Sequence, residues 1–177
     1  MSGFMEKELP VRKKIRLEGY DYSQAGHYHV TVCVQDGHEM LGKVVGDAVL
    51  CVPFVELTDI GEIAQAYLEK MNDVIKHAFL EKYVIMPNHI HLLIILKHGT
   101  QEPLESGTQR TASPTKATIP RIVHGMKSVV TKQIGYSIWQ RSYHEHILRN
   151  EKEYQHTWQY IDNNPAKWAE DDYYIKK

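Results

Sequence analysis

Two histidines one residue apart, His89 and His91, lie in an apolar run from Tyr83 to Leu96 that is interrupted by Pro87 and Asn88. Both halves of the run read as buried strands. Side chains alternate along a strand, so the two imidazoles face the same way while Ile90 faces the core. Two parallel imidazoles at one end of a strand are half of a metal site, and they also suit the polar face of a surface strand. A second same-face pair, His144 and His146, brackets Glu145. With a charge between them, neither face of that strand is clearly a core face. Metal ligands need packed support behind them, which favours His89 and His91. His27 and His29 also share a face, but they start a strand beside no obvious third ligand and read as surface residues.

A helix downstream carries polar side chains along one stripe. Asn150 and Glu153 form a capping box, at N-cap and N3, for a helix that stops before Pro165. That helix carries His156 and Tyr160, and Asn164 follows at the same spacing of four, so the three share a stripe. A tyrosine hydroxyl has a pKa near 10 and must lose its proton to attack. Tyrosines on helices more often serve the core or its rim. The acidic, tyrosine-bearing tail 169–174 shows no readable chemistry.

Several elements must position these residues. His27 to Val34 is rich in β-branched and aromatic residues and reads as a strand. Met40 to Val45 and Val49 to Val55 read as a hairpin around Gly46 and Asp47. Apolar residues from Ile60 to Ile75 recur at helical spacing, predicting a helix over about 59–77 capped by Thr58 or Asp59. Phe79 to Met86 and Ile90 to Leu96 read as adjacent central strands. From 97 to 118 the composition turns to Gly, Ser, Thr, Gln and Pro, as in a flexible surface loop. Ile119 to Gly135 reads as a helix and Ile138 to Leu148 as a strand.

The totals fit one domain over 1–177, large enough for a real core. A net charge of −1 excludes a globally basic nucleic-acid binder, so such a partner needs a local patch. Two such stretches exist. One is Arg12, Lys13, Lys14 and Arg16; the other runs from Gln109 to Arg149, where seven Lys/Arg face one acid, a net of +6. Cys33 and Cys51 do not suggest a disulfide framework and fit a reducing cytoplasm. No apolar stretch approaches the roughly 18 residues of a membrane span. The first residues lack the apolar centre of a signal peptide.

Taken together, these motifs resemble a family. Met86-Pro87-Asn88-His89-Ile90-His91 resembles the HUH motif (His–hydrophobic–His) of single-tyrosine HUH transposases. Arg16 to Ser23, Trp139 to Asn150, and Tyr160-Ile161-Asp162-Asn163-Asn164-Pro165 resemble the branch called REP-associated tyrosine transposases. The similarity covers most of 12–168, with the 97–118 loop outside it.

The resemblance implies a ferredoxin-like (RRM-like) α+β fold, an antiparallel sheet with helices packed on one face. It implies that His89 and His91 ligate a divalent metal, Mg²⁺ or Mn²⁺, with Asn164 at the third position and Tyr160 as nucleophile. His146 matches a position near the site, and His156 lies on the tyrosine's stripe. The implied activity is a bacterial, cytoplasmic, metal-dependent endonuclease and strand transferase acting on single-stranded or hairpin DNA through a 5′-phosphotyrosine. Arg12, Lys13, Lys14, Arg16, Arg121, Lys127, Lys132, Arg141 and Arg149 would hold the DNA backbone, and Tyr20, Tyr22 and Trp139 would stack on unpaired bases. Monomer and homodimer stay open, because dimeric relatives can supply the tyrosine helix from the partner subunit. A non-catalytic nucleic-acid binder on the same scaffold is the alternative from another class. A histidine phosphoesterase ranks low: His91 is followed by Leu92 and Leu93, so the central histidine pair carries no His-x-Thr/Ser motif.

Overall fold

The computed structural model describes residues 24–46, 53–97 and 118–175. The initial basic arm, the expected loop and Cys51 therefore lie outside the described residues. Strand β1 (Gly26–Cys33) is followed by a short hairpin of β2 (Gly42–Val45) and β3 (Phe54–Leu57), and then by helix α1 (Asp59–Val74). Strands β4 (Ala78–Ile85) and β5 (His89–Leu96), helix α2 (Ile119–Ile134), strand β6 (His144–Leu148) and helix α3 (Glu151–Asn163) complete the order. The main sheet runs β4–β5–β1–β6 with every neighbouring pair antiparallel. With the hairpin set aside, β1-α1-β4-β5-α2-β6 is the βαββαβ order of a ferredoxin-like fold.

Alternation in β1 and β5 creates two unequal cores. Tyr28, Val30 and Val32 join Ile90, Leu92, Ile94 and Leu96 beneath α1 and α2. Leu93 points to the opposite face and packs with Leu148 and Ile161 of α3 in a much smaller cluster. Two helices thus cover one face, as expected for the fold class, and the added α3 lies across the other. Gly125 of α2 leaves room for the Tyr67 hydroxyl of α1, which an added Cβ would displace.

The boundaries differ from the sequence reading where side chains rewire the backbone. Helix α1 ends at Val74, short of the expected 77. Asn72 explains this: its amide donates to Leu80 O at 3.0 Å, and its carbonyl accepts from Leu80 N at 2.7 Å, beside a register shift in β4. The expected strand 138–148 is split. Val34 pairs with Trp139 and Thr31 with His144, so three steps from 31 to 34 face five from 139 to 144. The surplus forms a bulge whose carbonyls, Gln140 O and Ser142 O, each accept from the Lys127 ammonium at 2.8 Å. In the hairpin, β3 begins only at Phe54, pairing with Val45. Among the described residues no helix is long and apolar enough to cross a membrane.

Candidate functional site

Strand β5 and the turn before it fix the two imidazoles. Pro87 O accepts from Leu41 N at 2.9 Å, and Asn88 O accepts from Val34 N at 2.8 Å, so the turn is clamped on both sides. His89 and His91 are 0% and 1% exposed, on the α3 face of the sheet. Their Nε2 atoms stand 3.0 Å apart. The amide of Asn88 donates to Gly37 O and Tyr173 O, which turns its Oδ1 toward His89 Nδ1 at 2.8 Å. That acceptor favours the His89 proton on Nδ1 and leaves the Nε2 lone pair directed toward the space it shares with His91 Nε2. His91 Nδ1 lies 2.9 Å from Thr31 Oγ1 and 3.1 Å from His29 Nε2.

Burial favours the neutral form of these rings. It pushes His89 down to about 4, against the opposing pull of the Asp171 charge. It also holds His91 well below its ordinary value, with His89 and His29 adding to the effect. Neutral imidazole is the form that binds a cation.

Helix α3 delivers the tyrosine. Asn150 Oδ1 accepts from Glu153 N at 2.9 Å, Glu153 Oε2 accepts from Arg149 N at 3.1 Å, and the Asn150 amide donates to Glu153 Oε1 at 2.8 Å. The expected capping box thus sets the start of the helix. Ile161 anchors its last turn against Leu93 and Leu148, and Tyr160 beside it reaches the imidazoles. The Tyr160 hydroxyl donates to Asp171 Oδ2 at 3.0 Å and lies 3.2 Å from His91 Nε2, within one chain. Burial raises its pKa well above the usual tyrosine value, and the charge of Asp171 raises it further. Asn164, 2% exposed at the end of α3, donates its amide to Asp171 Oδ2 at 2.9 Å. Its Oδ1 is buried without a partner.

Three residues that the sequence reading set aside belong to this site. His29 is half-buried against His91 rather than at the surface, because β1 is a central strand and His29 faces α3. Burial lowers its pKa to about 4, assisted by His146. Asp171 and Tyr173 come from the acidic tail. After α3 a 3₁₀ turn, Pro165–Glu170, reverses the chain and carries the tail back over the stripe of Tyr160 and Asn164. The Tyr173 ring lies 4.6 Å from that of His89, and burial pushes its hydroxyl up to about 12. A single cue was present in the sequence: Pro165 ends α3 directly beside the stripe, so the following residues must pass close to it.

The donor set suits a divalent cation. His89, His91 and Asp171 each offer one ligand atom, all within 4.8 Å of one another. Two nitrogens 3.0 Å apart match ligands held at about 2.1 Å from one ion and roughly at right angles. The partnerless Asn164 Oδ1 is the kind of buried oxygen that a cation satisfies.

The remaining sequence candidates scatter. Arg12, Lys13, Lys14, Arg16, Tyr20 and Tyr22 lie outside the described residues. Arg121 and Lys132 are exposed on α2, across the sheet from the imidazoles. Lys127 is committed to the bulge carbonyls, and burial lowers its pKa to about 8. Arg141 lines a cavity of about 600 Å³ with Asn88, Trp139 and Tyr173, beside the site. Trp139 is buried, its indole nitrogen unpartnered. Arg149 is exposed next to the start of α3. His146 and His156 line a cavity of about 640 Å³ with His29 and Tyr160, and His146 Nε2 pairs with Glu153 at 3.3 Å.

No model of a known protein family matches the chain. A Haemophilus influenzae protein described as uncharacterized is 32% identical over 174 residues, 93% of each chain. The solved structure of a REP-associated tyrosine transposase bound to a REP hairpin superposes with a TM-score of 0.59 at 20% identity, over 86% of this chain and 74% of that one. The likeness is one of fold: an antiparallel ferredoxin-like sheet with helices, as the motifs led us to expect.

Proposed function

We propose that this chain, which belongs to one family with the uncharacterized Haemophilus influenzae protein, is a metal-dependent single-stranded DNA endonuclease and strand transferase acting at hairpin-forming DNA. One observation carries the reading: the Tyr160 hydroxyl lies 3.2 Å from His91 Nε2, within reach of a two-imidazole site and without help from a second chain. The ferredoxin-like fold shared with a structure that holds a REP hairpin supports a DNA substrate.

In this reading His89 and His91 hold the cation, with the buried oxygen of Asn164 as third donor. When bound, Mg²⁺ or Mn²⁺ would neutralise charge on the scissile phosphate and lower the cost of ionising a nearby hydroxyl. Asp171 Oδ2 fixes the direction of the Tyr160 hydroxyl. Tyr160 Oη attacks the phosphorus, the bond from phosphorus to O3′ breaks, and a 5′-phosphotyrosine and a free 3′-OH result. The proton lost by the tyrosine balances the one gained by the leaving oxygen. The new ester retains the bond energy, so another 3′-OH can reverse the step without a nucleotide cofactor. The cavity bordered by His29, His146 and His156 adjoins Tyr160 and offers room for a nucleotide flanking the cut. Lys152 and Lys167 line the cavities that adjoin Tyr160, and Arg141 lines the one beside Asn88 and Tyr173; Arg149, Arg121, Lys132 and the arm at 12–16 are further candidates for backbone contact.

The test is a hairpin oligonucleotide with single-stranded flanks, incubated with Mn²⁺ and resolved under denaturing conditions. Wild-type protein should form a covalent adduct; Tyr160→Phe should form none while still binding the DNA. Adducts in that variant would refute the nucleophile. A second reading, a non-catalytic nucleic-acid binder, is favoured by one observation: both imidazoles are fully buried, with the Tyr173 ring against His89. Mn²⁺ titration separates the two, since the binder requires no metal held by His89 and His91.

A further inference from the structure

Asp171 stands out as a carboxylate without a positive partner among the described residues. Its Oδ1 accepts from Tyr173 N at 2.8 Å, and its Oδ2 accepts from Asn164 Nδ2 at 2.9 Å and from the Tyr160 hydroxyl at 3.0 Å. All three donors are neutral. Among the described residues no Lys or Arg forms an ion pair with it. It faces two imidazoles whose Nε2 atoms are 3.0 Å apart, and its oxygen lies within 4.8 Å of both. A half-buried charge of this kind requires compensation. Two neutral imidazoles and one carboxylate leave the pocket with a net charge of −1 before anything binds. A carboxylate can accept about four hydrogen bonds or metal contacts, and three are in use.

We infer that Asp171 is a ligand of the cation held by His89 and His91, supplied by the C-terminal tail, so that metal binding fastens this tail to the sheet. The inference rests on the metal reading given above. It alters the donor set: a carboxylate joins two imidazoles, a combination with one negative charge where two imidazoles and an amide have none. The Asn164 amide then acts first as a clamp on this carboxylate, whatever its oxygen contributes. The tail also becomes a coupled element. The Tyr173 amide hydrogen-bonds Asp171, the Tyr173 carbonyl accepts from Asn88, and Asn88 orients His89. A cation bound at Asp171 and His89 closes that circuit.

The experiment uses the full chain stripped of metal with EDTA and dialysed. Mn²⁺ affinity is measured by calorimetry for wild type, Asp171→Ala, Asp171→Asn, Asn164→Ala and His91→Ala. Amide exchange at Tyr173 is followed with and without Mn²⁺. Melting curves report whether each variant folds. Asp171→Asn preserves size and most hydrogen bonds should the alanine variant fail to fold. Loss of an outer-shell partner already costs about 10–100-fold in metal affinity, so loss of Asp171 should cost at least about ten-fold. Mn²⁺ should slow exchange of the Tyr173 amide in wild type and not in the Asp171 variants. Mn²⁺ affinity in folded Asp171→Asn within about two-fold of wild type, with His91→Ala unable to bind, would overturn the role of Asp171 and leave the two-imidazole site standing. Unchanged affinity in His91→Ala as well would overturn both.

Discussion

Acid should loosen the metal-free protein through its buried imidazoles, and His29 allows the size of the effect to be worked out. Its folded pKa is about 4 against an ordinary value of 6.5, because burial disfavours the charged ring and His146 repels it. The unfolded chain therefore takes up this proton first as pH falls. Stability from this group is complete above about 6.5 and is lost progressively down to about 4. A shift of about 2.5 units corresponds to about 3 kcal/mol when the loss is complete, and about 2 kcal/mol of it is gone by pH 5. His89 and His91 shift in the same direction, so the observed loss should exceed the contribution of His29 alone. Domains of this size have about 5–15 kcal/mol in total, which makes the effect large. Urea unfolding at pH 7, 6, 5 and 4 in EDTA measures it, with His29→Gln as the comparison. The wild-type curve should fall steeply below pH 6.5 and the variant's less so. A flat wild-type profile between pH 6.5 and 4.5, or an identical slope in the variant, would refute the claim that His29 is held neutral by the fold.

Two other expectations concern residues around the site. Asn88→Ala removes the acceptor that orients His89 and should weaken Mn²⁺ binding about 10–100-fold in calorimetry, with little change in α3. Lys127→Met frees the bulge carbonyls and should cost about 1–2 kcal/mol in urea unfolding, a figure reduced for partial exposure. The same variant should leave the salt dependence of DNA binding unchanged; a slope smaller by about one would place Lys127 on a phosphate instead.

The legible parts of the sequence were those written in local periodicity and capping. Alternation around Ile90 foretold that His89 and His91 share a face, and Asn150 with Glu153 foretold the start of α3. The order of strands and helices followed from the same patterns together with the motif resemblance. What stayed hidden depended on long-range packing. His29 reads as a strand-end residue until β1 is known to lie between β5 and β6. Asp171 and Tyr173 read as a solvated acidic tail until the 3₁₀ turn sends them back onto Tyr160. Lys127 looked like part of a basic surface because nothing local shows that a bulge 13 residues away takes its ammonium. The bulge itself needs the pairing register of two strands, which no window of sequence contains.

The union of Tyr160 and His91 in one chain has a kinetic consequence. Their 69-residue separation is closed by folding and not by collision between molecules, so assembly of this contact is first order. Dilution leaves it intact. Specific activity should then be independent of protein concentration, and mixing a Tyr160→Phe chain with a His91→Ala chain should restore nothing. On the proposed mechanism, Tyr160 as the nucleophile would let a molecule carry one covalent strand at a time, and each end would have to be released before another is taken.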